Sequence, residues 1–140
     1  MKVSIVYWSG TGNTKAMAEE VLTGAKAVGA DASLFETSSF DASSAASYDA
    51  LAFGCPAMGA EELEDAEFLP VFEACEGTLR GKKIALFGSY GWGDGEWMRS
   101  WEERCASLGV IFAADSVICR EAPDDEACEA CRALGTALAS

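Results

Sequence analysis

Three short apolar runs each empty into a glycine-bearing turn, and this recurrence constrains the fold more than any other feature of the chain. Val3 to Trp8 ends at Ser9-Gly10-Thr11-Gly12-Asn13-Thr14. Ala50 to Gly54 ends at Cys55-Pro56-Ala57-Met58-Gly59-Ala60-Glu61, and Lys83 to Phe87 at Gly88-Ser89-Tyr90-Gly91-Trp92-Gly93-Asp94-Gly95. Continuous apolar runs suit strands of a parallel sheet that is covered on both faces. Between them lie stretches with helical spacing. Asn13 to Val28 carries Met17, Val21, Ala25 and Val28, and Gly29 stops it. Glu67 to Leu79 places Phe68, Val71, Phe72 and Cys75 on one side. Glu96 to Leu108 aligns Trp97, Trp101, Cys105 and Leu108. Ala32 to Phe35 and Val110 to Cys119 read as two further strands, Asp41 to Ala46 as a polar connection of about one helical turn, and Asp124 to Ala139 as a last helix.

Five strands alternating with helices predict an α/β fold: a doubly wound, open parallel sheet with helices on both faces. The chain has 140 residues, which suits one domain over 1–140 and the five-stranded order 2-1-3-4-5 better than a six-stranded one. In that order ligands bind outside the carboxyl ends of strands 1 and 3, where the strand order reverses. The three glycine-bearing turns fall on that rim.

Charge and composition exclude several classes of function. Ten Lys and Arg against 23 Asp and Glu leave a net charge of −13. A phosphate backbone or an anionic membrane needs a cationic face, so neither nucleic acid nor membrane is an expected partner. A partner with a basic docking face is expected instead. The chain has no His, which removes His-based acid–base chemistry and most zinc sites. Val3 to Trp8 is too short for a signal-peptide core or a membrane span, so the expected location is cytoplasmic. Its six Cys are then expected as reduced thiols. Cys128 and Cys131 have the C-x-x-C spacing, but no second pair completes a metal set, and they read as ordinary helix residues.

The first turn has the chemistry of an anion cradle. Two glycines let backbone N–H groups turn inward, and Ser9, Thr11, Asn13 and Thr14 add neutral donors. The turn opens directly into a helix N-terminus, which attracts an anion. It matches neither the P-loop pattern nor Gly-x-Gly-x-x-Gly, since Lys15 stands where a third glycine belongs. The plainer reading is a strand-to-helix turn capped by Asn13 or Thr11. In the second turn, Met58 is a polarizable group suited to an aromatic ring, Gly59 gives its peptide freedom to turn over, and Glu61 offers an acceptor. In the third, glycine at alternate positions leaves Tyr90 and Trp92 projecting from an exposed loop, which is costly unless they cover something. Together the turns describe a site with a phosphate at one end and a planar ring at the other.

With these three blocks the chain resembles the short-chain flavodoxins over nearly all of its length. Val6-Tyr7-Trp8-Ser9-Gly10-Thr11-Gly12-Asn13-Thr14, Gly54-Cys55-Pro56-Ala57-Met58-Gly59 and Leu86 to Gly95 carry the likeness, and Val110 to Cys119 leaves no room for the extra stretch of long-chain members. The resemblance implies non-covalent FMN and one-electron transfer between protein partners, reductases and oxidoreductases among them. It implies that Ser9, Gly10, Thr11, Gly12, Asn13 and Thr14 hold the phosphate, with Trp8 and Ser89 near it or near the ribityl chain. Met58 would lie on the inner ring face and Trp92 on the outer. Glu61 would accept from the flavin N3–H, and Tyr90, Gly91, Gly93 and Asp94 would serve the ring's edge. Pro56 and Ala57 complete the second turn, and the peptide after Gly59 would flip on reduction. Two positions depart from the family pattern: Pro56 lacks a hydroxyl that some relatives use, and Ala60 replaces a frequent Asp or Ser.

The function so implied is a low-potential carrier that shuttles FMN between semiquinone and hydroquinone. Five of the seven residues from Glu61 to Glu67 are acidic, and that charge resists a further electron and steers basic partners. The molecule is expected as a monomer, not an enzyme, and without a metal. One rival is a flavodoxin-like NAD(P)H-dependent quinone or flavin reductase, but no second nucleotide site is legible. Another is a phospho-receiver on the same topology. That would need Asp at the end of strand 3, where Cys55 stands, and an acidic pair after strand 1, where Ser9 stands.

Overall fold

The computed structural model describes residues 1–140. Its strands are β1 (Lys2–Tyr7), β2 (Asp31–Glu36), β3 (Ala50–Gly54), β4 (Lys83–Tyr90), β5 (Ile111–Phe112) and β6 (Val117–Arg120). Its α-helices are α1 (Asn13–Ala27), α2 (Phe68–Cys75), α3 (Glu96–Ser107) and α4 (Asp125–Leu138). All strand pairs are parallel, in the order β2-β1-β3-β4-β5, with β6 also paired to β4. This is the doubly wound 2-1-3-4-5 sheet expected from the alternation of elements.

Three elements differ from expectation. β4 runs on through Gly88, Ser89 and Tyr90, because β6 pairs with Phe87 to Tyr90 and so recruits glycine-rich chain into the ladder. The fifth strand is split. β5 pairs with Lys83 and Ile84, β6 pairs with the far end of β4, and after Ala113, whose N–H still donates to Ile84 O at 2.9 Å, residues 114–116 leave the sheet. Finally, α2 begins at Phe68 and ends at Cys75, followed by a 3-10 turn at Glu76–Thr78. The sequence around it holds Pro70 inside the first turn, where a missing N–H costs least.

The two faces of the sheet are unlike. β1 sends Val3, Ile5 and Tyr7 toward α1 and α4, where Ala50, Ala52 and Ala85 keep the sheet surface low. The other face is aromatic: Phe53, Phe68, Phe72, Trp97 and Trp101 pack there. Trp101 stands edge-on to both Phe68 and Phe72, at 5.4 and 5.8 Å between centroids, an arrangement that suits ring quadrupoles. Alanine on the first face lets α1 and α4 come close to the sheet and to each other. Their contact is made by Gly24 and Gly135. A Cβ on Gly135 would overlap the Val21 carbonyl oxygen, and one on Gly24 the Arg132 carbonyl oxygen. Thr136 Oγ1 donates to Gly24 O at 3.2 Å, and Arg132 pairs with Glu20 at 2.6 Å across the same seam.

Cys131 lies in this core and Cys128 is half-buried one turn away on α4. Burial pushes the Cys131 thiol up to about 12, so it stays protonated at neutral pH. Elsewhere Lys82 Nζ donates to the carbonyls of Tyr48 at 2.7 Å and Ala46 at 3.1 Å, ending the 3-10 turn at Ala42–Ser47. Lys2, Lys26, Arg80, Lys82 and Lys83 all lie at the amino-terminal end of the strands or in the connections beside it. No helix is long and apolar enough to cross a membrane.

The glycine seam predicts an overpacking penalty. Gly135→Ala is expected to lower unfolding stability by about 1–3 kcal/mol, read from the urea midpoint at unchanged m-value, although alanine is the better helix former.

Candidate functional site

The parallel register sets the carboxyl ends of β1, β3 and β4 side by side, and β4's extra residues organise the turns that follow. Cys55 N donates to Phe87 O at 3.1 Å and Ala57 N to Ser89 O at 3.0 Å. On the other side Glu121 N donates to Tyr90 O at 2.8 Å. A cleft of about 240 Å³ opens between these chains. Trp8, Gly10, Thr11 and Asn13 line it from the first turn, Pro56, Ala57 and Met58 from the second, Ser89, Tyr90 and Gly91 from the third, and Glu121 from the chain after β6.

The first turn is built to leave donors free. Ser9 Oγ accepts from Gly12 N at 3.0 Å and so closes the turn. Gly12 then takes a φ of 95° at the helix boundary, a left-handed conformation that glycine adopts without strain. Neither Asn13 nor Thr11 caps α1, so the plainer reading of a locally capped turn does not hold. The N–H groups of Thr11, Asn13, Thr14 and Lys15 find no acceptor within the chain. The Thr14 hydroxyl is buried with no partner. A buried hydroxyl left unpaired costs about 1–3 kcal/mol. Neutral donors at a helix N-terminus suit a doubly charged phosphate.

The second turn is a closed loop. Met58 and Glu62 exchange backbone hydrogen bonds at 2.8 and 2.9 Å, and Gly59 and Glu61 carry φ values of 53° and 56° at its tip. Its base is fastened twice. Glu64 N donates to the buried Cys55 sulfur at 3.3 Å. The Glu64 carboxylate accepts from Ala66 N, Glu67 N and Phe68 N at 3.0, 2.8 and 2.7 Å and so caps α2. Burial pushes that carboxyl up, but the bonds from Phe68, Glu67 and Ala66 together outweigh it and hold the group below its ordinary value. Burial likewise pushes the Cys55 thiol up to about 12, so it is a neutral acceptor.

The third turn leaves Trp92 63% exposed, outside the cleft wall, as an unpartnered aromatic on a glycine loop. Ser89 is buried and its hydroxyl donates to Glu121 O at 2.9 Å. Tyr90 packs on Trp97 at 5.5 Å between centroids, with Arg120 over its other side at 5.2 Å. Asp94 pairs with Arg99 at 2.9 Å. Glu61 reaches across from the second turn, and its Oε1 accepts from Glu96 N at 3.1 Å. The expected ring-edge acceptor thus closes the start of α3. Gly93, with a φ of 85°, lies under that carboxylate, where a Cβ would collide with it.

Of the expected site residues, Trp8, Gly10, Thr11, Asn13, Pro56, Ala57, Met58, Ser89, Tyr90 and Gly91 share one cleft. Ser9, Gly12 and Thr14 support its floor from within the first turn. Gly59, Glu61, Trp92, Gly93 and Asp94 stand beyond its wall on the two outer loops. Sequence reasoning missed two residues. Glu121 takes a φ of 60° just after β6, and its signal was its place after a strand and two residues before Pro123. Glu64 stood unmarked as one of the five acids from Glu61 to Glu67.

The flavodoxin family model matches residues 5–135 of the chain. The chain is 46% identical over 137 residues to the flavodoxin of Megasphaera elsdenii, with 98% of each protein covered. It is 44% identical over 138 residues to the flavodoxin of Clostridium beijerinckii, with 99% of each covered. The solution structure of two-electron reduced Megasphaera elsdenii flavodoxin superposes with a TM-score of 0.89 at 48% identity, covering 98% of both chains.

The Glu64 cap makes a testable link between pH and stability. A carboxylate held below its unfolded pKa contributes stability above about pH 4.3, and that contribution fades as pH falls through the folded value. Glu64→Gln is therefore expected to cost about 1 kcal/mol near neutral pH. Urea titrations at stepped pH should show the gap to the parent protein narrowing below about pH 5.

Proposed function

Since the chain belongs to the flavodoxin family, we propose that its three-turn cleft holds FMN through the residues that its own chemistry selects. The family assignment makes the protein an FMN-binding electron carrier that serves redox partner proteins, and not an enzyme. The observation that carries the site assignment is the buried, unpartnered Thr14 hydroxyl beneath four free backbone N–H groups at the start of α1. A phosphate is the group that satisfies all of these at once.

Bound FMN supplies reversible one-electron chemistry. Ser9, Gly10, Thr11, Gly12, Asn13 and Thr14 bind its phosphate, with no cation in the turn itself. Trp8 and Ser89 border the middle of the cleft. Trp8 Nε1 is held by Glu67 at 2.8 Å, which sets the indole at the mouth. Met58 would provide a polarizable wall on one side, and Trp92, exposed on the glycine loop, would cover the other and exclude water. Pro56, Ala57, Tyr90, Gly91, Gly93 and Asp94 offer backbone and ring surface to the flavin's edge. Glu61 would exchange its bond from Glu96 N for one from a donor on the ring. Gly59, with Ala60 after it, keeps the peptide able to turn over without a side-chain clash.

The charges around the cleft set the potential. Glu61, Asp94 and Glu96 lie with their carboxylates within 4.8 Å of one another beside the third turn, and Glu121 borders the cleft. Together they disfavour added negative charge and favour a low potential for the second electron. The same acids attract basic docking faces. Residues 1–140 act as one domain, a monomer in the cytoplasm.

Two outcomes follow. Thr14→Val removes the hydroxyl but keeps the volume. The apo-protein should gain stability in urea melts, because a buried unpaired group is gone. FMN affinity should fall about tenfold by titration of flavin fluorescence, while riboflavin, which lacks the phosphate, should bind both proteins equally. Neutralising Asp94 and Glu96 together, as Asn and Gln, should raise the second midpoint potential by on the order of tens of millivolts at low salt, followed by a spectrum-monitored redox titration. An unchanged potential would remove the electrostatic account.

A further inference from the structure

The outer edge of the sheet, formed by β5 and β6, is open. Glu121 N bonds to β4, so by the alternation along a parallel strand Val117 and Cys119 also direct their N–H and C=O groups toward β4. Ile118 and Arg120 then direct theirs outward, where no strand pairs. Exposed edges are usually blunted by lysine, proline or brevity. This one is short and broken, two residues of β5 and four of β6, but it carries exposed Ile111 (55%), Phe112 (37%) and Ile118 (38%), and no proline. Arg120 is drawn back over Tyr90 and does not guard the edge.

Beside the edge, between β6 and α4, runs a trough of about 480 Å³ floored by Val117, Ala130, Ala133 and Leu134. A second hollow of about 370 Å³ shares Val117, Ile118 and Ala130 with it and reaches Tyr90 at the FMN cleft. Acids stand at both ends, Asp115 at one and Glu126 with Asp124, which also caps α4, at the other, and Arg120 is the one cation on either lining.

We propose that this edge takes an extended strand from a redox partner, one with an apolar inward face and lysine or arginine at its ends. The strand's backbone pairs with the outward groups of Ile118 and Arg120. Its inward apolar residues fill the trough over Ala130 and Ala133, and the cations at its ends meet Asp115 at one end and Asp124 and Glu126 at the other. A second copy of this chain is the poorer occupant, since two molecules of charge −13 would bring the same acids together. The surface is separate from the acid loops beside the cleft, and its continuity with Tyr90 holds a docked strand close to the cofactor.

The test is amide chemical-shift mapping on the FMN-loaded, isotope-labelled protein, titrated with an eight-residue peptide that alternates valine and threonine and carries lysine at both ends. Expected are shifts at Phe112, Val117 to Arg120 and Ala130 to Leu134, with slowed hydrogen exchange at Ile118 and Arg120. Ile118→Pro removes an outward N–H that the sheet does not use, and Ala133→Arg fills the exposed trough with bulk and like charge. Each should weaken peptide binding at least tenfold while the flavin spectrum stays unchanged. Shifts confined to Glu61 to Glu67, no shifts at all, or a concentration-dependent doubling of mass with the edge resonances broadened would each overturn the proposal.

Discussion

The last three residues of β4 hold the functional rim together. Gly88, Ser89 and Tyr90 continue the strand beyond the point where β3 has ended, and they pair on both flanks. On one side the second turn hangs from them through Ala57, and on the other the chain after β6 hangs through Glu121. A turn this rich in glycine has little conformational preference of its own. Its order is borrowed from the ladder, and the cleft's walls inherit the rigidity of the sheet. The outer loops, which lack that support, are where motion is useful.

The division of labour between the two sheet faces follows from side-chain size. Alanines at Ala50, Ala52 and Ala85 bring α1 and α4 close enough to meet through glycine. On the other face phenylalanine and tryptophan hold α2 and α3 away and fill the gap with rings. Both arrangements serve the rim. The first aims the N-terminus of α1 into the cleft. The second fixes Trp97, whose indole N–H donates to Cys55 O at 3.1 Å, directly beneath the second turn.

Much of this was legible in the residues. The apolar runs of β1, β3 and β4 gave the parallel sheet, and helical spacing gave α1, α3 and α4 to within one or two residues. The first turn's donors pointed to an anion before any geometry was known. What escaped notice was made by partners distant in sequence. The extension of β4 reads as loop because glycine carries no strand preference, and only pairing with β6 makes it strand. The break in the fifth strand is a register effect, with β5 and β6 binding opposite ends of the same neighbour. Glu64 looked like one more solvated acid. Its burial depends on Cys55 lying behind it, nine residues earlier. Glu61 has two possible acceptor roles, and its bond to Glu96 N is set by how closely two loops approach.

The placement of the lysines has a consequence for encounters. Lys2, Lys26, Lys82 and Lys83 gather at the end of the sheet where the strands begin, whereas the acid loops crowd the end where they finish. Charge is therefore uneven along the strand direction, although Lys15, Arg99 and Arg120 lie at the acid end and Asp31 and Asp49 at the other. In the field of a cationic partner the molecule feels a torque as well as a pull. Such a torque favours arrival with the acid end forward and shortens the rotational search that limits most protein encounters.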